Sequence, residues 1–184
     1  MNKIIQKNKM SLNNTLLVAI GLVMIIIVSR LIGHVWNFTA VGGVALFSGA
    51  YFSKKHVAIL IPFFGLFISD LVLGFHDQMF AVYFSYALIA VLGFSLKLES
   101  SRFKTVGVSF AGAILFFLIT NFGCWIGNAF YPQNLNGLLE SYVLGLPFFR
   151  TQVLSDIISS LVIFELAKQA VRFSLYQVRP GQSL

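Results

Sequence analysis

Six apolar stretches divide the chain, at residues 14–34, 39–52, 57–75, 78–96, 105–127 and 150–171. Short polar breaks separate them. Most are about 20 residues long, the length a helix needs to cross the hydrocarbon of a bilayer. Barrel strands would need only about 10 residues with strict in–out alternation, and these runs do not alternate. The pattern predicts an all-α polytopic membrane protein with six transmembrane helices. The second run is short and rich in small residues: Ala40, Gly42, Gly43, Ala45, Ser48, Gly49 and Ala50. Its Ala45 and Gly49 form a small-xxx-small pair, a face that lets helices approach closely, inside the bundle or against a partner.

The segment at 128–149 has a different period. Leu135, Leu138, Leu139, Tyr142, Val143 and Leu146 recur at spacings of three and four, which is one apolar helical stripe. Asn134 can cap its start, and Pro147 is expected to stop it. The expectation is a short amphipathic helix on the outer side between helices 5 and 6. It would lie in the interface or close as a lid over an outward-facing pocket.

Composition agrees with the pattern. Of 184 residues, 58% are apolar and 10% are charged, against about a quarter charged in a soluble domain. The net charge of +7 would suit nucleic acid, but its placement argues for a membrane. With the N-terminus inside, eleven of the thirteen basic residues fall in inner segments, and only Arg30 and Arg150 lie near the outer side. The positive-inside rule therefore puts both termini in the cytoplasm, where most of the basic residues face anionic lipid. No nucleic-acid role is needed. The whole of 1–184 reads as one transmembrane domain in the inner (plasma) membrane, with 1–13 and 172–184 as cytoplasmic segments. Lys3, Lys7 and Lys9 before an apolar run imitate a signal peptide. The run is too long for one, and no small-x-small cleavage site is evident, so it reads as a retained first helix. The single cysteine, Cys124, allows no intrachain disulfide and reads as a small buried hydrophobe.

Against this apolar background, four polar residues ask for a reason, because a charge in the hydrocarbon costs about 2.5–3.5 kcal/mol on insertion scales. Arg30, Asp70, Asn121 and Asp156 lie on four different helices at similar depth on the outer side. His34, Asn37, His76 and Asp77 stand at the outer helix ends. One reading is an ion pair of Arg30 with Asp70 or Asp156 that fixes helix order. The other is a polar layer that grips a ligand, with either acid able to carry a proton or bind a cation. The candidate substrate-binding set is Arg30, Asn37, Asp70, His76, Asn121 and Asp156. Glu165 and Lys168, at i and i+3 near the inner end, read as a structural pair. No catalytic or metal spacing is present, and no cofactor is called for; Asn37-Phe38-Thr39 matches a glycosylation sequon only at the membrane surface.

Several of these residues form a combination found elsewhere. Asn37-Phe38-Thr39-Ala40-Val41-Gly42 leads to Ala45-Leu46-Phe47-Ser48-Gly49-Ala50-Tyr51-Phe52; then come Ser69-Asp70-Leu71, Gly74-Phe75-His76, Thr120-Asn121-Phe122-Gly123, Tyr131-Pro132 and Pro147-Phe148-Phe149. Over nearly its whole length the chain resembles a family of uncharacterised bacterial membrane proteins assigned to transport. That family is similar to the S components of energy-coupling factor transporters, six-helix proteins that capture vitamins or related small molecules and dock on a transmembrane partner driven by ATPases. The sequence departs in two places. Gly33-His34-Val35-Trp36 keeps a histidine before the Asn-Phe but no proline, and helix 1 has Ala19 followed by Val23 in place of an Ala-xxx-Ala docking face. The resemblance implies a non-enzymatic, substrate-binding subunit for uptake of a small vitamin-like molecule, in contact with the bilayer and with a coupling protein. The alternative is a self-sufficient ion- or proton-coupled secondary transporter.

Overall fold

The computed structural model describes residues 12–32, 37–127 and 130–177. The described residues form six helices and no strand: α1 (Leu12–Leu31), α2 (Val41–Tyr51), α3 (Lys55–Leu73), α4 (Met79–Gly93), α5 (Arg102–Gly127) and α6 (Leu135–Gln177). Three of them, α1, α3 and α5, are long and apolar enough to cross a membrane. The outer surface is apolar to match. Phe80, Phe103 and Phe130 are 83%, 92% and 87% exposed, and Leu17 and Val72 are exposed as well. Contiguous apolar surface of this extent is foreign to a soluble monomer and compatible with lipid.

The centre of the bundle is α2. It is only 11 residues long, about 16 Å at 1.5 Å per residue, and it is buried from Val41 to Gly49. Its small residues explain how a helix reaches the middle of five others. A Cβ on Gly42 would collide with the Asp156 carboxylate, one on Gly43 with Ser159, and one on Gly49 with the Ala90 carbonyl of α4. The Ala45–Gly49 face is therefore used inside the bundle, against α4. Gly93 answers it from the other side, where a Cβ would strike the Leu46 carbonyl. The Val44, Ala45 and Leu46 side chains complete the core with Ile26, Leu66, Ile89 and Phe164.

The loop that leads into α2 is held by side chains of other helices. The Ala40 N–H donates to Ser29 Oγ of α1 at 3.2 Å. The Thr39 carbonyl accepts from Ser155 Oγ of α6. Backbone polar groups away from water need such partners, which secondary structure cannot provide at a helix start.

Both prolines of the apolar helices lie inside them. Pro62 sits within α3; having no N–H, it leaves the carbonyl of Ala58, four residues earlier, without its helical donor. Ser48 Oγ of α2 supplies one, at 2.8 Å. Pro147 corrects an expectation. The segment after Asn134 is not a short helix stopped by Pro147; α6 runs unbroken from Leu135 to Gln177, 43 residues and about 65 Å. One proline costs a single backbone bond and a local clash, whereas ending the helix would orphan four carbonyls and then four N–H groups. The expected cap is present: Asn134 Oδ1 accepts from the Gly137 N–H at 3.1 Å.

The buried face of this first part of α6 also differs from expectation. Leu135, Leu139, Val143 and Leu146 point outward, 50–70% exposed. Gly137, Ser141 and Gly145, four residues apart, face inward. There Gly145 abuts the Asn121 side chain of α5, and Gly137 abuts Pro132. In water the leucines would turn in. When the surroundings are apolar, close backbone approach at small residues decides the face.

Candidate functional site

The helices alternate in direction, so the ends of α1, α3 and α5 gather with the starts of α2 and α4 at one end of the bundle. The opposite end carries Glu165, which pairs with Arg102 and Lys168, each at 3.1 Å. Lys168 also donates to the Ser100 carbonyl at 3.1 Å. The expected Glu165–Lys168 pair is thus a three-residue network tying α6 to the start of α5. At the same end, the Lys55 ammonium lies 5.3 Å from the Phe94 ring centroid.

The first polar centre at the other end joins α1, α3 and α4. Asp70 sits in the last turn of α3, which Gly74 terminates with a φ of 96°, its N–H donating to the Asp70 carbonyl at 2.9 Å. Only glycine adopts that backbone at little cost. Arg30, in the last turn of α1, places Nη1 2.7 Å from Asp70 Oδ1. The same nitrogen donates to Ser69 Oγ at 2.6 Å and to the Leu66 carbonyl at 3.3 Å. Tyr83 of α4 donates to Asp70 Oδ2 at 2.7 Å. The Ser69 hydroxyl accepts from Arg30 while donating back into its own helix. Asp70 is 1% exposed and Arg30 15%. Each charge in this centre has its opposite.

The second centre is Asp156 on α6, 2% exposed. Its Oδ2 accepts from Gln152 Nε2, one turn earlier, at 2.8 Å. Gln152 Nε2 also lies 3.4 Å from the hydroxyl of Tyr86 on α4. Oδ1 has no hydrogen-bond partner among the described residues, although it presses against Gly42 in the first turn of α2. Tyr83 and Tyr86, three residues apart on α4, reach the first and the second centre respectively, so the two centres are neighbours across α4.

Of the sequence-derived candidates, the fold brings Arg30 and Asp70 into contact and sets Asp156 in a separate, adjoining site. Arg30 pairs with Asp70, not with Asp156. Asn121 binds its own helix through the Phe117 carbonyl, at 2.8 Å, and packs on Gly145; it belongs to the α5–α6 seam. Asn37, with a φ of 61°, and His76 are exposed in the connections. His34 lies outside the described residues. Sequence reasoning missed Ser69, Tyr83, Tyr86 and Gln152. The Gln152–Asp156 spacing of i to i+4 was a readable signal. Tyr83 and Tyr86 resembled ordinary aromatic packing on an apolar helix.

A groove of about 500 Å³ runs between α1 and α3, lined by Ile20, Met24, Ile27, Leu60, Phe64, Ile68 and other apolar side chains. None of the polar residues lines it. A protein-family model described as a family of unknown function (DUF6580) matches residues 10–177. No curated protein and no solved structure matches the chain.

Proposed function

Because the chain belongs to a family of unknown function (DUF6580), the site must supply its role, and we propose that it is a membrane transport protein that binds a small polar molecule. It crosses the membrane six times, with both termini in the cytoplasm. The substrate enters at the outer end, where Arg30, Asp70 and Asp156 lie. The observation that carries this reading is the burial of Asp70 and Asp156, with Arg30 partly buried beside Asp70, at one end of the bundle. Ionisable residues at membrane depth are expensive and mark substrate or ion paths.

Two features support six crossings even though α2 and α4 are short. The first is that α2 is enclosed by protein, and irregular backbone at membrane depth is tolerated where protein partners satisfy it. Ser29 and Ser155 provide those partners at its start. The second is that α6 buries Gln152, Asp156 and Ser160 against the bundle.

In the transport cycle the chain acts as the substrate-capturing subunit, and a transmembrane partner driven by ATPases supplies energy, since the sequence carries no Walker motif. The test is to purify the chain, identify the co-purifying small molecule by mass spectrometry, and titrate it back. Arg30→Ala and Asp156→Asn are expected to weaken binding at least tenfold. Unchanged binding in both removes the site. A second reading, a self-sufficient proton- or ion-coupled transporter, is favoured by the uncompensated Asp156 carboxyl. Uptake into liposomes holding only this chain, lost when the proton gradient is collapsed, selects it.

A further inference from the structure

The two buried acids are not equivalent, and the difference lies in their partners. Asp70 faces a guanidinium at 2.7 Å and a tyrosine hydroxyl at 2.7 Å. An adjacent cation keeps a carboxylate charged. Asp156 is as deeply buried, but its sole donor among the described residues is a neutral amide. The groups facing it are Gln152 of its own helix, Tyr86 of α4 and Gly42 of α2. The charge of Arg30 is committed to Asp70. On α5 the polar group at this interface is Ser109, which meets Ser160, one turn beyond Asp156. No cationic side chain among the described residues reaches Asp156.

An ionised carboxylate in this position would need several donors. The start of α2 offers free N–H groups beside it, and a charged Oδ1 would be drawn to them. Oδ1 accepts from none of them, nor from any other described group; Asp70 Oδ1 also accepts no hydrogen bond, but it has the Arg30 charge 2.7 Å away. A buried carboxyl left without counter-charge escapes the cost of several kcal/mol by neutralising. A neutral carboxylic acid also suits the packing, because its unpartnered oxygen sits against Gly42 of α2 with no charge to solvate.

We infer that Asp156 is a proton-binding site: the carboxyl pressed between Gln152, Tyr86 and Gly42 holds a proton at neutral pH. This rests on the local geometry and not on the transport reading, so its test uses no substrate. Infrared spectra of the full chain in lipid are recorded at neutral pH in H2O and D2O. The expected result is a carbonyl band of a protonated carboxylic acid that is lost in Asp156→Asn and kept in Asp70→Asn. Asparagine has nearly the shape of the neutral acid, so Asp156→Asn is expected to unfold at the wild-type temperature. Gln152→Leu gives an independent check: removing the sole donor to Oδ2 shifts the band without abolishing it. Absence of the band at neutral pH overturns the assignment, as does its survival in Asp156→Asn. Sodium-dependent stabilisation that disappears in Asp156→Asn, with no protonated band, would assign the site to a metal cation and overturn it equally.

Discussion

Arg30 holds three groups on two successive turns of α3: it donates to the Leu66 carbonyl and to Ser69 Oγ, and it pairs by charge with Asp70 Oδ1. A guanidinium suits this because its donors are fixed in a plane and its charge persists at any relevant pH. The pair is most consequential when half of it is lost. Arg30→Ala leaves Asp70 buried with only Tyr83 as donor, and about 3–5 kcal/mol of stability is expected to go. Replacing both residues, as Arg30→Met with Asp70→Leu, removes the orphan and is expected to restore most of that loss. Thermal unfolding of the purified variants in one detergent measures both. A double variant no more stable than Arg30→Ala would show that the pair contributes through something other than charge matching. Arg30 and Asp70 were visible in the sequence as charges in an apolar chain, but the choice between Asp70 and Asp156 as the partner of Arg30 was not. That choice depends on which helix ends lie side by side, and hydropathy carries no such information.

Beside the apolar core, small residues and hydroxyls join several elements of this fold. The α2–α3 junction is the clearest case. Pro62 strips the Ala58 carbonyl of its donor, and Ser48 replaces it from the neighbouring helix at 2.8 Å. Ser48→Ala is expected to cost about 1–3 kcal/mol, the range for an unsatisfied buried polar group. In a Pro62→Ala background the helical N–H returns to Ala58, so the same Ser48→Ala change should cost well under half as much. A thermodynamic cycle over the four proteins reads this directly, and equal costs in both backgrounds would refute the link. Six helices and their approximate bounds were legible from the apolar runs. The fate of residues 135–146 was not. Pro147 reads as a terminator when water can satisfy the freed groups, and the leucine stripe reads as a buried face when water surrounds the helix. Apolar surroundings reverse both inferences, which leaves Gly137, Ser141 and Gly145 as the packed face.

At the scale of the whole molecule, the two ends differ in kind. Glu165, Arg102 and Lys168 form an ion network at one end, 30–72% exposed for the first two, with Lys54, Lys55, Lys97 and Lys104 in the same region. The other end buries its charges. An exposed basic end suits contact with anionic headgroups, and the positive-inside bias supports the proposed placement of that end on the cytoplasmic face. The orientation is open to a direct test. With Cys124→Ala as background, single cysteines at Lys54, Lys97 and Asp77 can be labelled in intact cells with a membrane-impermeant thiol reagent. Asp77→Cys, in the exposed connection between α3 and α4, is expected to react from outside. Lys54→Cys and Lys97→Cys are expected to react only after the membrane is opened. Labelling of all three from outside would rule out the alternating passage of α2, α3 and α4. Inverted labelling would keep six crossings but turn the Arg30–Asp70–Asp156 end to the cytoplasm, and uptake from outside would then have to begin at the basic end.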